Sequence, residues 1–564
     1  MNQRPVNQRP VPFNLGEAMN KAVTLHRQGR LRDAEKIYAR VLKVAPDLFD
    51  ALNLLGAVKA QLGHIGEAQR LFSAAVKVNP RAPQAWVNLG QALHALKRDR
   101  EALDCFDKAL ALAPGDAAIR NSHANALLSF GRAEEALAEF RQVLAQSPQH
   151  AEARLNAGIA LATLGRPDEA VVEFDSAAAL APGHPVVHFN RGLALFELGR
   201  YADAAAAYDR VLAAAPDHAG AVLNRGRALA ALNRYDEALA NYDRAIALRK
   251  DDADVHFMKS MALLTRGDYQ RGFADYEWRW RRSGMPAQKS RGRRLWLGEY
   301  PLTRKTILLH AEQGLGDTIQ FARYVPRLAA GGAKVVLEVQ PDLVPILTRL
   351  DGAAAVTARG DAPPLYDVHC PLGSLPLALK TERDTVPADI PYLSADETHL
   401  AKWSARLSGL PRPRVAIAWS GNPSHINDRN RSIPFAKLEP LFAAAAGAQF
   451  VSIQRELRGD DAAVLAAEPR IVHVGGELES FADTAAAIAH CDLVITVDTA
   501  VAHLAGALGR PLWVLLPFAP DWRWTLSDAS PWYPAARLFR QPALGDWDDP
   551  LARVGAAVKG LVAS

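Results

Sequence analysis

Prolines recur along the first half of this chain at a constant interval of 34 residues, at Pro46, Pro80, Pro114, Pro148, Pro182 and Pro216, with Lys250 holding the next slot. Small residues keep the same register at Gly56, Gly90, Ala124, Gly158, Gly192 and Gly226, and a second small series runs from Ala34 through Ala68, Ala102, Ala136, Ala170 and Ala204 to Ala238. Four residues after each of these alanines stands an aromatic: Tyr38, Phe72, Phe106, Phe140, Phe174, Tyr208 and Tyr242. An i, i+4 pair shares one face of a helix, so each aromatic fills space that its small partners leave open. Turn formers at Gly29, Gly63, Gly131, Gly165, Gly199 and Asn233 divide each unit into two helices. A fixed period of this length cannot build a single closed core. It specifies identical helical hairpins stacked in a row.

The pattern resembles the tetratricopeptide repeat, a helix–turn–helix of 34 residues. It covers about Leu15 to Arg282 as seven good repeats and a degenerate eighth in which Gly272 and Tyr276 keep the register. Residues 15–286 are therefore expected to form an all-α superhelix, preceded at 1–14 by a polar, Pro-bearing tail that is expected to be disordered. Asn88, Asn156, Asn190 and Asn224 occupy one equivalent position on successive first helices, with Ser122 in the intervening slot. First helices line the concave side of such solenoids, and an amide both donates and accepts, so a row of them is an expected grip for the backbone of a protein acceptor. The competing reading is that these amides bond between neighbouring helices and support the stack. The row resembles the asparagine ladder of eukaryotic O-linked N-acetylglucosamine transferases.

Near residue 278 the pattern changes. A linker is expected at 287–304, followed by alternating strands and helices: Thr306 to His310, a helix from Asp317 to Ala330, and Lys334 to Val339. After Pro411 to Pro413 come strands at Val415 to Trp419, Phe450 to Ile453, Ile471 to Val474, Leu493 to Val497 and Leu512 to Leu516. Two Rossmann-like lobes, 305–408 and 409–564, are implied, which makes the second half an α/β domain. Ligands bind such sheets beyond the carboxyl ends of the strands, so the residues just after the strands matter most.

Two junctions carry candidate chemistry. After the first strand stands Glu312-Gln313-Gly314-Leu315-Gly316-Asp317, where glycines admit a substrate to the backbone and Asp317 stands at a helix start. Asp317 serves either as a functional carboxylate or as a helix cap, and composition weighs the two evenly. After the strand ending at Val497 stands Asp498-Thr499-Ala500-Val501-Ala502-His503, opening a helix whose free N–H groups and dipole suit a diphosphate.

Composition narrows the alternatives. Charged residues make up 23% of the chain and the net charge is only +5, with no dense basic block, so nucleic acid is not an expected partner. Cys105, Cys370 and Cys491 are isolated from one another, which supports neither a disulfide framework nor a zinc site. The absence of an apolar run long enough to span a bilayer, roughly 18 to 20 residues, makes membrane insertion unexpected and the cytoplasm the expected compartment. Asp546-Trp547-Asp548 has D-x-D spacing but falls near the C-terminus, outside the predicted cleft, so neither metal nor cofactor is expected.

Together the two junctions resemble glycosyltransferase family 9, the heptosyltransferase-like inverting enzymes of the GT-B fold, and in particular its tetratricopeptide-linked bacterial branch. The family's Gly-Asp-x-Ile with a later Pro matches Gly316-Asp317-Thr318-Ile319 and Pro326, and its Asp-Thr-Gly-x-x-His-Leu-x-Ala matches Asp498 to Ala505 with Ala500 replacing the glycine. The resemblance implies that Asp317 is the base, with Gly314 and Gly316 admitting the nucleotide-sugar. Asp498, Thr499, Ala500 and His503 would then hold the donor. Arg431, or next Arg429, would neutralise the leaving phosphate, and Gln454 or Glu456 would contact the ribose or base. It implies an inverting, metal-independent glycosyltransferase acting on a protein recruited by the repeats, with flagellin a plausible acceptor because related bacterial enzymes modify it. A lipid-linked or lipopolysaccharide acceptor, or an inactive binding scaffold, are the competing readings.

Overall fold

The computed structural model describes residues 14–283, 292–425 and 427–563. Residues 1–13 of the expected tail, and 284–291 at the expected end of the repeats and start of the linker, lie outside the described residues. The chain forms two compact units, one ending at Ala221 and the other beginning at Val222. The change of fold expected at 286 is therefore not where compactness divides, because the last repeats belong to the second unit.

In the first unit, twelve described helices run from Leu15–Arg27 to Tyr201–Ala214, alternating 13 and 14 residues in length. The hairpin Phe49–Gln61 and Ile65–Val78 shows why. Its turn residue Gly63 has φ of 83°, a left-handed conformation that a glycine adopts without steric cost. Lys97 holds the same turn position with φ of 62° and must accept the crowding that glycine avoids. Within the hairpin Ala151–Thr163 and Pro167–Leu180, a Cβ built on Gly158 would lie 2.6 Å from the ring of Phe174, which is wholly buried. The ring rests on bare backbone, and a full burial of this kind contributes about 2–3 kcal/mol.

The second unit opens with the remaining repeat helices, including Tyr235–Leu248, Ala253–Arg266 and Tyr269–Tyr276, and a 3-10 turn at Glu277–Arg281. Two parallel sheets follow. The first contains β1 (Arg294–Leu295), β2 (Thr306–His310), β3 (Lys334–Val339), β4 (Ala353–Ala358) and β5 (Val368–Pro371) in the order β1-β5-β2-β3-β4. The second contains β6 (Arg414–Ala418), β7 (Gln449–Ser452), β8 (Ile471–His473), β9 (Leu493–Val497), β10 (Leu512–Leu516) and β11 (Arg537–Arg540) in the order β11-β10-β9-β6-β7-β8. Continuous apolar strands such as β9, buried along its whole length, are what a parallel sheet covered on both faces requires.

Three expectations need correction. Part of the expected linker is sheet: β1 pairs with β5, and Trp296 beside it is 4% exposed. The single helix expected over 317–330 is two, Leu315–Ala322 and Val325–Ala330. Pro326 lacks an N–H and its ring would collide with the carbonyl of Ala322 in a continuous helix, so the break falls before it. Strands β1, β4, β5 and β11 are additional to the expected set; they are short or lie on sheet edges, where the apolar signal is weak.

The last repeat helix shares an apolar core with the sheets. Tyr269, Phe273 and Tyr276 pack in one cluster with Phe321, Trp522 and Trp532. Phe273 meets Trp522 edge-on at 5.6 Å, and the Trp532 indole N–H donates to the Tyr269 hydroxyl at 2.9 Å. No helix among the described residues is long and apolar enough to cross a membrane.

Candidate functional site

The site is built where the ends of β2 and β9 turn into helices. Beyond β2, the loop 311–314 leads into helix Leu315–Ala322, with Gly314 as its N-cap. The Asp317 carboxylate reaches back so that Oδ2 accepts the Gly314 N–H at 2.9 Å. The capping role is therefore real, and it occupies one carboxylate oxygen only. The loop is pinned from below: the Gln313 side chain and the Tyr276 hydroxyl exchange hydrogen bonds at 2.8 and 2.5 Å, and Gln340 Nε2 donates to the Gln313 carbonyl at 2.8 Å.

Beyond β9, Thr499 is the N-cap of helix Ala500–Ala507 and makes no capping bond with its hydroxyl. The two helix starts meet directly. A Cβ on Gly316 would lie 2.8 Å from the His503 ring and 3.4 Å from the Ala500 Cα, so only glycine permits this approach. Asp498 accepts the Trp524 indole N–H on Oδ1 at 2.8 Å, while its backbone carbonyl accepts from Arg431 Nη1, also at 2.8 Å. Burial, followed by the nearby Asp521, pushes the Asp498 carboxyl up to about 6, against the pull of the Trp524 N–H and Arg431. Arg431 ends helix Asp428–Arg431, and its guanidinium lies over Gly421, where an added Cβ would meet it at 2.5 Å. Asp317, Gly314, Gly316, Arg431, Asp498, Thr499 and Ala500 are thus gathered at one place.

Other expected site residues have different employment. Gln454 accepts the Trp419 and Ser420 N–H groups at 3.0 and 3.1 Å and donates to the Ser420 and Glu456 carbonyls, so its amide clamps the end of β6 and has no capacity left for a ribose. Glu456 is exposed and enters this network only through its carbonyl. His503 is buried between Gly316, Trp524 and Tyr533, bonded at 3.0 Å to the Tyr533 hydroxyl. Burial, reinforced by Arg523, holds its pKa well below the ordinary range, so the imidazole is neutral. It fastens the two helix starts together. The D-x-D triplet is a helix start: Asp546 Oδ1 accepts the Asp548 N–H at 3.1 Å ahead of helix Asp548–Ala563.

The four ladder amides are half-buried and engaged. In the first unit, Asn88 donates to Asn53 at 3.0 Å and Asn156 to Asn125 at 2.8 Å, each linking first helices of neighbouring repeats, while Asn190 donates to its own helix at Val186. In the second unit Asn224 accepts from Arg227 at 2.9 Å. Bonding between helices, the competing reading of the row, thus describes Asn88 and Asn156. An amide satisfies its nearest partner first, and each of these has one.

A buried ionic cluster beneath the β2 loop was not anticipated. Arg279, 1% exposed, donates to Glu312 at 3.1 Å and to the Ser374 hydroxyl at 2.7 Å and pairs with Glu277. Glu312 also accepts the Gly373 N–H at 3.0 Å. Burial raises the Glu312 carboxyl to about 7; Arg279 opposes this and the nearby Asp317 adds to it. Trp278, Arg279 and Trp280 stood out in the sequence only as the place where the pattern changes. Arg523, on the loop after β10, bonds Asp317 Oδ1, Gln320 Oε1 and Asp521 Oδ1 with its guanidinium. A groove of about 620 Å³ elsewhere, lined by Asp268, Tyr269, Glu382, Arg383 and Pro531 among others, includes none of the motif residues.

Comparison with known proteins matches two separate parts of the chain. A tetratricopeptide-repeat family model matches residues 54–117, 121–185, 189–247 and 223–283, and the glycosyltransferase family 9 (heptosyltransferase) model matches residues 454–518. The latter stretch holds β8, β9, β10 and the Asp498–His503 junction; Asp317, Arg431 and Arg523 lie outside it. Protein FlbA of Caulobacter vibrioides is 27% identical over 295 residues, which is 48% of this chain and 48% of that protein, so this chain spans about half the length of that relative. A tetratricopeptide repeat protein from Parabacteroides merdae aligns over 44% of this chain and 98% of its own at 18% identity and a TM-score of 0.37. PilF of Pseudomonas aeruginosa aligns over 36% and 92% at 21% identity and a TM-score of 0.33.

Proposed function

From a chain that joins tetratricopeptide repeats to a glycosyltransferase family 9 domain, we propose an inverting transfer of sugar from a nucleotide-sugar to a protein acceptor brought in by the repeats. The observation that carries this reading is the meeting of the two junctions. Gly316 abuts Ala500 and His503, so the Asp317 carboxylate and the N-terminal N–H groups of helix Ala500–Ala507 face one space. A hydroxyl of the acceptor attacks the anomeric carbon as the bond from that carbon to the phosphate oxygen breaks. The hydroxyl proton passes to Asp317. The charge that develops on the departing nucleoside diphosphate falls on the helix N–H groups and on Arg431, which are in place before reaction and need no reorganisation. Displacement from the opposite face inverts the anomeric centre. We assign no step to a metal or cofactor, the acceptor to the repeat surface with flagellin as one instance, and the work to the cytoplasm.

The test uses the full chain with radiolabelled UDP-, GDP-, ADP- and CMP-sugars and a bacterial extract as the source of acceptors. The expected result is label in the protein fraction from one donor, and its loss on the order of a hundredfold or more in Asp317→Asn. Label that extracts with lipid would replace the protein acceptor by a lipid-linked one. Near-normal transfer by Asp317→Asn would reduce that residue to the cap it also is.

A further inference from the structure

Arg523 sits on the loop after β10, in the 3-10 turn Trp522–Trp524, 206 residues from Asp317 in sequence. Its side chain is only 10% exposed. Its backbone is held by Asp521, whose Oδ1 accepts the Arg523 N–H at 3.0 Å, and by Ser530, whose hydroxyl donates to the Arg523 carbonyl at 2.9 Å. The guanidinium lies 4.4 Å over the Trp522 ring, and each of its three nitrogens has a carboxylate or amide oxygen as partner. A group held this firmly is a fixed donor, and it delivers one N–H to the Asp317 oxygen that the cap leaves open.

We infer that Arg523 is the positioning residue for the base, fixing the plane of the Asp317 carboxylate together with the Gly314 N–H. This inference rests on the proposed role of Asp317 as base. A cap needs one oxygen and no cation. Burying a guanidinium to serve one would cost desolvation free energy without purpose. Arg523 also bonds Gln320 Oε1, three residues along the helix that carries Asp317, so the guanidinium fixes the carboxylate relative to its own helix.

The experiment compares the full chain with Arg523→Gln, Arg523→Lys and Asp317→Asn, using whichever labelled nucleotide-sugar turns over. Arg523→Gln is expected to lower kcat on the order of a hundredfold through misplacement of the carboxylate, with little change in the KM of the donor. Arg523→Lys, which retains a charged donor, is expected to recover part of that kcat. An unchanged kcat in Arg523→Gln, a donor KM that rises while kcat stays the same, or an equal loss in the Gln and Lys variants overturns the inference. Near-normal turnover of Asp317→Asn together with an impaired Arg523→Gln would strike the base reading instead.

Discussion

Tyr38 and Tyr276 occupy the same position of the repeat, seven units apart, and do different work. Tyr38 is wholly buried in the second helix of the first hairpin, and its hydroxyl has no hydrogen-bond partner among the described residues. There the ring acts as a hydrophobe, and its phenol is raised by burial alone apart from a small opposing effect of Arg27. Tyr276 is buried as deeply, but its hydroxyl is bonded to Gln313 in the loop that carries Asp317. The repeat pattern specifies an aromatic ring and leaves its polar tip uncommitted. At the last repeat that tip has become part of the candidate site.

The largest effect that separates the two regions is expected from Phe174→Ala. Removing a ring that lies on bare glycine backbone leaves a cavity, at a cost of about 3–5 kcal/mol. Thermal denaturation should show the loss in the first unit, while the thermal shift produced by a bound donor, which depends on the second unit, stays as in the wild type. A lost donor response would mean that the two regions are not separable in this way.

Glu312→Gln tests the second region through pH. The Glu312 carboxyl is raised from 4.5 to about 7, so the folded protein holds a proton that the unfolded chain has released. That contribution is fully present below about pH 4.5 and is lost as pH rises through about 7. Glutamine does not ionise, so the variant should gain in Tm relative to the wild type between pH 5 and pH 8. A difference that is flat with pH would place Glu312 outside this account.

The smallest effect sharpens the comparison most. Tyr276→Phe removes the two hydrogen bonds with Gln313, each with a net contribution of about 1 kcal/mol, and should slow turnover several-fold with little change in fold. Tyr38→Phe should alter neither Tm nor turnover measurably. Equal behaviour of the two variants would mean that the Gln313 contact has no bearing on the chemistry.

The residues legible in sequence were those whose role is set by neighbours close in the chain. Gly158 and Phe174 declare themselves by period, and Gly316 with Asp317, or Asp498 with Thr499, by standing at the end of a strand. What sequence left dark depends on pairs far apart. Arg523 reaches Asp317 across 206 residues and Arg279 reaches Glu312 across 33, and neither pairing leaves a local pattern. Gln454 is a related case: its place after a strand is visible in sequence, but the backbone groups of Trp419 and Ser420 that it bonds are not. The ladder asparagines were visible as a row, whereas Asn53 and Asn125, which two of them bond, stand outside that row.

The shared core of Tyr269, Phe273, Trp522 and Trp532 also bears on how such a chain can be recombined. Whole 34-residue units ahead of Val222 can be gained or lost without opening that core, so the length of the array is free to drift in descendants of this gene. The final unit has no such freedom. A two-sheet half transplanted to another array has to travel with its own last hairpin, and the workable splice point lies upstream of the place where the sequence changes character.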